Sequence, residues 1–460
     1  MKMTLSQASL ALKSVGDLQG LEDLQLTGVQ TDSRLVKPGQ LFFCISGEKF
    51  DGHSFARQAV ENKAAAVVVH RPMQELQVPV LLVEDTVKAL GRLACFWRKQ
   101  MAGTVICITG SAGKTTTKEM LAQVLGMKFK TGKNFKNWNN QVGLPLSMLL
   151  LDGDEDFWVL ELGINNPWDM QELAETALPD WAVLLNVGAS HLQGLGSVQG
   201  VARAKAELLD HSAGVKQAFV NQDYVLLRQE VEKRDIEPVW FSCIEDDSDC
   251  RVQFMGRDVF LVTEKDSTLQ LNLEPGWFQY CENIAAVWCL ARKAGMEASE
   301  IASALKQVSL PEQRFAIYRA GNWTIIDDTY NANPISMHKA IDSAKNMAQD
   351  GPLYLVLGDM AELGPEEAEA HAGLGRKISR TKCRAVFFRG KNADLIKQKV
   401  QNSTDFYPVS GTKDFKYTLA GLESARGTVL FKGSRSSKME ELIPVFRDWA
   451  LKKEGQPGQQ

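Results

Sequence analysis

The segment at residues 109–116 has the sequence TGSAGKTT. Its residue types and spacing are the clearest indication of a functional site in the chain. It follows an apolar run at 104–109 and precedes a helical pattern at 114–125. Glycines let backbone N–H groups turn toward phosphate oxygens, and the start of a helix favours negative charge. We therefore predict a phosphate loop, in which Lys114 reaches the β- and γ-phosphates and Thr115 ligates Mg²⁺. Its members are Gly110, Ser111, Ala112, Gly113, Lys114, Thr115 and Thr116.

The loop is a shortened form of the general pattern, which places a glycine where this chain has Ile108. The alternative interpretation is a glycine-rich turn between a strand and a helix that binds nothing. Strand, turn, lysine and paired threonines together favour the phosphate loop. The loop indicates ATP or GTP, but it does not say what is done with the phosphate.

Three further side chains lie where they could assist such a loop. Glu161 ends the apolar run at 157–160, and a strand-end carboxylate beside a phosphate loop suits Mg²⁺. The alternative is a solvated glutamate. His191 follows the apolar run at 181–186, where a lone histidine is more often structural than a ligand. Lys205 lies in the helical stretch at 201–207, and from the residues alone it is predicted to be an exposed helix lysine.

The elements that must position these residues alternate between strands and helices, which predicts an α/β fold with mostly parallel sheets. We divide the chain into three zones: a small α/β domain at 1–100, a central domain with a doubly wound parallel sheet at 101–312, and a Rossmann-like domain at 313–460. Short strands at 215–275 predict an antiparallel extension of the central sheet. The predicted strands are 41–45, 66–69, 80–83, 104–109, 157–160, 181–186, 323–327, 353–357, 385–388 and 428–431, and the predicted helices are 54–62, 87–101, 114–125 and 283–295.

The composition excludes several classes of protein. A net charge of −4 gives no broad attraction for nucleic acid or an anionic membrane. Eight scattered cysteines without a CxxC pair predict buried thiols in a reducing compartment, and no structural zinc. No secretory signal or membrane-spanning run is found, so we expect a cytoplasmic protein. The polar tail at 453–460 is predicted to be frayed.

The order of motifs resembles the Mur ligases: TGSAGKTT at 109–116, ELG at 161–163, HL at 191–192 and AKAE at 204–207. The first zone adds TDSR at 31–34, LFF at 41–43 and DGHSF at 51–55, which look like that family's uridine-nucleotide domain. In the third zone, DTYNANP at 328–334, LGDMAELG at 357–364 and KGSRS at 432–436 are similar to the branch that adds D-Ala-D-Ala. The DNPR signature of the tripeptide-forming branch is not found.

The resemblance implies roles for individual residues. Lys114 and the loop would hold ATP together with Asn283, Arg314 on the γ-phosphate and Asp328 near the ribose. The metal ligands would be Thr115, Glu161, His191 and, once carbamylated, Lys205. Lys114, Lys205, His191 and Arg314 would be the catalytic residues. The substrates would meet Ser33, Arg34, Asp51, Gly52 and His53 at the uridine end, Asn139 and Asn140 near the reacting carboxyl group, and Tyr330, Asn331, Asn333, Lys432, Ser434 and Arg435 around the incoming dipeptide.

The sequence departs from the family pattern at two places. Gln279 and Tyr280 stand where many members carry His-Asn, so that only Asn283 persists near the expected adenine contacts. Asn165 and Asn166 replace the commoner Asn-His after the ELG motif.

The resemblance implies an ATP- and Mg²⁺-dependent amide ligase of peptidoglycan precursor synthesis. It would join D-Ala-D-Ala to UDP-MurNAc-tripeptide through an acyl phosphate, and we expect it to act as a monomer. Because the acyl phosphate must be shielded from water, the third zone is expected to close over the phosphate loop when ligands bind. The alternatives are the tripeptide-forming Mur ligase, a folylpolyglutamate-type ligase, a P-loop phosphotransferase or NTPase, and a non-catalytic nucleotide-binding module.

Overall fold

The structure is a computed structural model that describes residues 1, 3–47, 50–73, 76–210, 214–265, 267–400, 404–424 and 426–454. The chain forms two compact units. The first unit contains Met1–Thr109, Leu121–Val183 and Lys205–Ala218, and the second unit contains Gly110–Met120, Leu184–Ala204 and Phe219–Gln460. The predicted boundaries of the three zones stay a prediction.

The helices and strands alternate along the chain as the sequence predicts. The α-helices are α1 (Leu5–Leu12), α2 (Ala56–Glu61), α3 (Thr86–Arg98), α4 (Lys114–Gly126), α5 (Gly143–Leu150), α6 (Asp169–Ala177), α7 (Leu192–Leu195), α8 (Val198–Ala206), α9 (Val225–Glu232), α10 (Cys281–Lys293), α11 (Ala298–Leu305), α12 (Pro334–Ala348), α13 (Glu367–Thr381), α14 (Ala393–Lys397), α15 (Thr412–Ala420) and α16 (Leu442–Glu454). The strands are β1 (Met3–Thr4), β2 (Gln25–Leu26), β3 (Gly28–Gln30), β4 (Gln40–Phe43), β5 (Ala66–Val69), β6 (Val80–Leu82), β7 (Thr104–Thr109), β8 (Thr131–Lys133), β9 (Phe157–Glu161), β10 (Trp181–Leu184), β11 (Gln217–Asn221), β12 (Val239–Ser242), β13 (Cys250–Gly256), β14 (Val259–Glu264), β15 (Ser267–Asn272), β16 (Ala316–Ala320), β17 (Trp323–Asp328), β18 (Leu353–Gly358), β19 (Ala385–Arg389), β20 (Asp405–Pro408) and β21 (Gly427–Lys432).

The first unit contains a four-stranded parallel sheet in the order β3-β4-β5-β6. Its apolar core includes Phe42, Val67 and Val69. A second set of strands has the order β10-β7-β9-β8, in which β9 pairs in parallel with both β7 and β8. These strands carry unbroken apolar runs because both faces of a parallel sheet are covered. The predicted α/β character of the first zone is confirmed.

In the second unit, the strands β15-β14-β13-β12-β11 lie side by side. The β13–β14 and β14–β15 pairs are antiparallel, which confirms the predicted antiparallel extension, whereas β11–β12 and β12–β13 are parallel. A six-stranded sheet follows in the order β16-β17-β21-β18-β19-β20. Five of its strands are parallel and β16 is an antiparallel edge. The predicted Rossmann-like sheet is therefore present, with two edge strands that the sequence did not indicate.

Several predicted boundaries differ from those of the structure, and three of the differences have a physical reason. The predicted helix at 54–62 begins as a 3₁₀ helix at Gly52–Phe55, because Asp51 accepts the backbone N–H of His53 and caps that turn. The strand predicted at 181–186 ends at Leu184, since Asn186 turns toward the phosphate loop. At the other end of the chain, α16 extends to Glu454, so the first residues of the predicted frayed tail are helical and 455–460 lie outside the described residues.

Two further observations concern the cysteines and the helices. All eight cysteines are free thiols, and five of them are buried: Cys44, Cys107, Cys250, Cys289 and Cys383. Within the part of the chain that the structure describes, no helix has both the length and the apolar sequence that crossing a bilayer requires.

Candidate nucleotide and ligase site

The predicted phosphate loop connects β7 to α4. Gly113 has a φ of +79°, and a Cβ added there would lie 2.7 Å from Nδ2 of Asn283. Only glycine therefore fits this position without strain. Nζ of Lys114 donates to the carbonyl oxygen of Gly110 at 2.8 Å, so the lysine curls over the loop. The first N–H groups of α4 have no acceptors within the helix and can serve an anionic phosphate.

Asn186 fixes the first half of the loop. Its carbonyl oxygen accepts the N–H of Ser111 at 3.1 Å, and its Oδ1 accepts the N–H of Ala112 at 2.8 Å. The Ser111 hydroxyl also exchanges hydrogen bonds with the backbone of Gly188, at 3.1 and 3.2 Å. Asn186 is not among the predicted site residues. An asparagine directly after an apolar strand in a phosphate-loop protein was the available signal.

Asn283, which was predicted to bind ATP, lies at the second half of the loop. Its Nδ2 donates to the carbonyl oxygen of Gly113 at 3.1 Å and to Oγ1 of Thr117 at 2.7 Å. The neighbouring Glu282 accepts from Nδ2 of Asn186 at 3.1 Å. Asn283 therefore holds the second half of the loop directly, and Glu282 holds the first half through Asn186. Glu282 is not among the predicted site residues.

Arg314 reaches the start of α4, and its predicted contact with the γ-phosphate stays a prediction. Its Nη2 donates to Oγ1 of Thr115 at 3.0 Å, and its guanidinium lies 4.0 Å from the ring centroid of Tyr330. The hydroxyl group of Tyr280 donates to the carbonyl oxygen of Arg314 at 2.8 Å. Tyr280, one of the residues that departs from the family pattern, thus holds the backbone of Arg314 in place.

The turn at 328–334 connects several predicted residues. Nδ2 of Asn333 donates to the carbonyl oxygen of Ser111 at 2.9 Å, so the start of α12 contacts the phosphate loop. Nζ of the buried Lys432 bonds to Oδ2 of Asp328 at 2.6 Å and to the carbonyl oxygen of Asn331 at 3.0 Å. The structure brings these residues together, while their contacts with substrates stay a prediction.

Ser434 and Arg435 have other partners. The N–H of Ser434 donates to the carbonyl oxygen of Asp359 at 2.9 Å. The guanidinium of Arg435 is paired with Glu440 at 3.1 Å and its side chain is largely exposed. Their predicted place beside the incoming dipeptide rests on the resemblance alone.

His191 is paired with Glu362, a residue to which the sequence analysis assigned no role although it lies in the LGDMAELG motif. Nδ1 of His191 lies 2.7 Å from Oε2 of Glu362. The N–H of Leu192 donates to the carbonyl oxygen of Glu362 at 3.1 Å. The hydrogen bond from His191 is the main reason that the pKa of Glu362 lies below its usual range, and the positive charge of Lys114 contributes.

In the first unit, Glu161 is buried with a relative exposure of 2%, so the interpretation as a solvated glutamate was wrong. Two asparagines surround it. Asn134 exchanges hydrogen bonds with the Glu161 backbone at 2.9 and 3.1 Å, and Nδ2 of Asn139 donates to Oε1 of Glu161 at 2.7 Å. Asn140 has a local role, since its Oδ1 accepts the N–H of Gly143 at the start of α5. Asn139 therefore holds the Glu161 carboxylate in place, and its predicted role as a metal ligand stays a prediction.

Lys205 was predicted to be exposed, and that prediction was wrong because its relative exposure is 1%. It lies near the end of α8, and the following residues Ala206 and Leu208 are also fully buried. The helical pattern did not reveal this, because burial here depends on what packs around the helix end.

The residues predicted for the uridine end form two capped turns that α2 contacts. Oγ of Ser33 donates to Gln58 of α2 at 2.6 Å, whereas the exposed Arg34 is paired with Asp32. Asp51 accepts the backbone N–H of His53 at 3.0 Å and bonds to its Nδ1 at 2.7 Å. The backbone hydrogen bond is the largest cause of the strongly lowered pKa of Asp51.

The second turn accounts for the glycine at position 52 and for the neutral form of His53. A Cβ on Gly52 would lie 2.6 Å from the backbone nitrogen of Ile45, so a larger residue would displace the chain. His53 is buried, and desolvation lowers its pKa although Asp51 opposes that shift. Its Nε2 accepts the N–H of His70 at 3.3 Å, which requires the neutral ring.

A cavity of about 200 Å³ lies beside Arg314 in the second unit. Its lining includes apolar and aromatic side chains as well as the arginine: Trp277, Tyr280, Pro311, Arg314, Phe315 and Ile317.

The family models match three consecutive parts of the chain. The Mur ligase family catalytic domain matches residues 25–98, the Mur ligase middle domain matches 108–290, and the Mur ligase glutamate ligase domain matches 313–435. A parallel-sheet nucleotide-binding region followed by a Rossmann-like sheet agrees with these matches. The chain belongs to the Mur ligase family.

Individual relatives and solved structures are similar to the chain over nearly its whole length. The chain is 34% identical to UDP-N-acetylmuramoyl-tripeptide–D-alanyl-D-alanine ligase of Escherichia coli strain K12, over 97% of this chain and 98% of the relative. Among solved structures, MurF from Acinetobacter baumannii has a TM-score of 0.89 at 27% identity, with 97% of this chain and 99% of that chain covered. MurF ligase from Thermotoga maritima in complex with ADP has a TM-score of 0.82 at 30% identity, with 93% and 98% covered.

Proposed function

We propose that the chain is an ATP-dependent amide ligase that joins D-Ala-D-Ala to UDP-MurNAc-tripeptide. The products are UDP-MurNAc-pentapeptide, ADP and phosphate, in a step of peptidoglycan precursor synthesis. The full-length similarity to a ligase of this name carries the proposal. The hydrogen bonds from Asn186, Asn283 and Arg314 to the phosphate loop support it, because distant parts of the chain converge there.

The reaction proceeds in two steps. The terminal carboxylate of the tripeptide attacks the γ-phosphorus, the bond to the ADP oxygen breaks, and an acyl phosphate forms. The amine of D-Ala-D-Ala then attacks the acyl carbon and loses a proton, and phosphate leaves as the amide forms. Lys114 and Arg314 place positive charge where the phosphoryl oxygens gather negative charge.

The hydroxyl oxygen of Thr115 and the carboxylate oxygens of Glu161 fit magnesium, which binds hard oxygen ligands. We propose Thr115, Glu161 and His191 as ligands, with Lys205 contributing as its carbamate. The buried Glu161 carboxylate, oriented by Asn139, and the buried Lys205 are the observations that support this set. Bound magnesium would neutralise charge on the phosphoryl oxygens.

We assign the substrates to regions as the family resemblance implies. The turns at Ser33 and at Asp51–His53 take the uridine end, and Asn139 and Asn140 lie near the reacting carboxyl group. The dipeptide is proposed to meet the turn at 328–334 and the segment at 432–435. We further propose that the enzyme works in the cytoplasm, where ATP is available, and as a monomer.

Phosphate release from ATP by the purified protein tests this function. The rate is measured with UDP-MurNAc-tripeptide, with D-Ala-D-Ala, with both and with neither. We expect release only with both substrates, together with a pentapeptide product detected by mass spectrometry. Release without either substrate would favour a phosphotransferase or NTPase. Phosphate release that requires a diamino acid in place of D-Ala-D-Ala, and UDP-MurNAc-dipeptide in place of the tripeptide, would favour the tripeptide-forming ligase.

A further inference from the structure

The loop between β18 and α13 carries the residue that we single out, Glu362. Two buried side chains anchor this loop, since Met360 and Leu363 each have a relative exposure of 1%. The N–H of Met360 donates to Nε2 of the buried His371 at 3.1 Å. Glu362 itself lies between these anchors with its side chain 60% exposed. Its position is therefore set by the fold and not by its own burial.

The contact between Glu362 and the segment around His191 has two parts. The carboxylate lies 2.7 Å from Nδ1 of His191, and the carbonyl oxygen of Glu362 accepts the N–H of Leu192 at 3.1 Å. Both residues adopt left-handed backbone conformations, with φ values of 54° for His191 and 63° for Glu362. Such conformations cost free energy in residues other than glycine, and they persist where surrounding contacts impose them.

The side-chain contact decides which ring nitrogen carries the proton. A carboxylate only accepts hydrogen bonds, so Nδ1 of a neutral His191 must be protonated to pair with Glu362. The lone pair then lies on Nε2, which becomes the ligand atom. In metal sites, a carboxylate on the second ring nitrogen fixes the tautomer and the orientation of the ligating histidine.

We propose that Glu362 is a positioning residue that holds His191 in the Nδ1-protonated tautomer and so presents Nε2 to the nucleotide-bound metal. This inference rests on the proposed assignment of His191 as a metal ligand. It adds a residue of the third zone to the metal-binding apparatus, because Glu362 acts on the metal through His191. Glu362 is not a catalytic residue in this scheme, since it touches neither substrate nor metal.

The test compares Glu362→Ala, Glu362→Gln and a matched control, Glu366→Ala. Glu366 is an exposed glutamate of the same loop, four residues further along the chain. The first readout is the ¹⁵N NMR spectrum of His191 at pH 8 without metal, assigned with a His191→Gln variant. We expect the Nδ1-protonated tautomer in the wild type, in Glu362→Gln and in the control, and a mixture of tautomers in Glu362→Ala.

The second readout is the affinity for Mn²⁺ in the presence of ADP, measured by calorimetry. Glu362→Ala should weaken Mn²⁺ binding about 10- to 100-fold. Glu362→Gln should lose less, because its amide oxygen still accepts from Nδ1. Neither readout needs the peptide substrates, so the result is independent of whether D-Ala-D-Ala is the acceptor. An unchanged tautomer or unchanged Mn²⁺ affinity in Glu362→Ala would overturn the proposal, and so would tighter binding, which would mark Glu362 as a competitor of the nucleotide.

Discussion

Asn283 supports the phosphate loop at the scale of a single residue, and its removal gives the first prediction. Asn283→Ala leaves the carbonyl oxygen of Gly113 with one side-chain donor fewer and takes the partner from Thr117. A lost buried hydrogen bond costs about 1–3 kcal/mol. If that cost falls on the nucleotide-bound state, the Kd for ADP rises about tenfold or more.

Calorimetry with ADP measures this effect, and Asn322→Ala serves as the control because Asn322 is exposed in the turn before β17. Equal ADP affinity in Asn283→Ala and the wild type, with an unchanged unfolding temperature, would show that the loop keeps its shape without this side chain.

His53 gives a prediction about pH. Its folded-state pKa is lowered, so the unfolded chain binds more protons below a pH of about 6.5 and stability falls as the pH decreases through that region. The pKa of Asp51 is also lowered, but its contribution is lost only in the more acidic range in which carboxylates titrate. Acidification from pH 7 to 5 should therefore destabilise the protein partly through His53.

Urea unfolding midpoints across this pH range provide the measurement. His53→Asn keeps a donor toward Asp51 and should flatten the dependence. His338, whose pKa burial also lowers, contributes with the same sign, so His338→Asn should remove a separate part of the slope. An equal pH dependence of stability in the wild type and in His53→Asn would show that the fold does not lower the pKa of His53.

Individual residues differ in how far their sequence predicts their place. The phosphate loop was predictable because its signal is local. Asn186 acts across 74 residues on Ala112, and no local pattern connects the two. The burial of Glu161 and Lys205 likewise depends on elements that pack around them, and helix periodicity alone gave the wrong result for Lys205.

At the scale of elements, β17 in the six-stranded sheet gives a prediction about packing. Trp323 is fully buried against Tyr354, Phe446 and Trp449. Trp323→Ala should lower the free energy of unfolding by about 3–5 kcal/mol through lost burial and the cavity that remains.

Trp323→Phe is the informative comparison. Among the described residues, the buried indole nitrogen of Trp323 has no hydrogen-bond partner, so phenylalanine removes a polar group that the fold does not use. We expect its cost to be clearly smaller than that of alanine in a thermal unfolding experiment. Similar losses for both substitutions would mean that the indole shape, and not the buried area, is what the sheet requires.

The strands also show why some elements escape prediction. Buried strands such as β7 and β18 read as unbroken apolar runs, and their ends were predicted within one residue. The edge strand β16 is mostly exposed, and the three-residue β8 has the sequence TGK. Because β8 contains no apolar run and the run in β16 is only three residues long, hydrophobic patterning could not reveal them.

At the scale of the whole molecule, residues of the third zone contact the phosphate loop within the second unit. Asn333 and Arg314 make these contacts through Ser111 and Thr115. A ligand that binds the loop should therefore also stabilise the six-stranded sheet. We expect ADP to slow hydrogen–deuterium exchange in β17, β18 and β21 as well as around 110–120.

The matched variant is Asn333→Ala, which should reduce the protection of the six-stranded sheet more than that of the loop. Protection restricted to 110–120 and α10 would contradict the prediction and would mean that the third zone does not close on the bound nucleotide. The open form without ligands stays a prediction that the same experiment addresses.

The buried cysteines have a practical consequence. Burial raises the pKa of the Cys44 and Cys383 thiols to about 12, and that of the Cys107 thiol further. Thiolates react with alkylating reagents, whereas buried thiols do not. Cys44 follows β4, Cys107 lies in β7, Cys250 begins β13 and Cys383 precedes β19. The natural sequence thus provides a reporter of local opening at four separate places, and timed alkylation followed by peptide mass spectrometry reveals the order in which they are exposed.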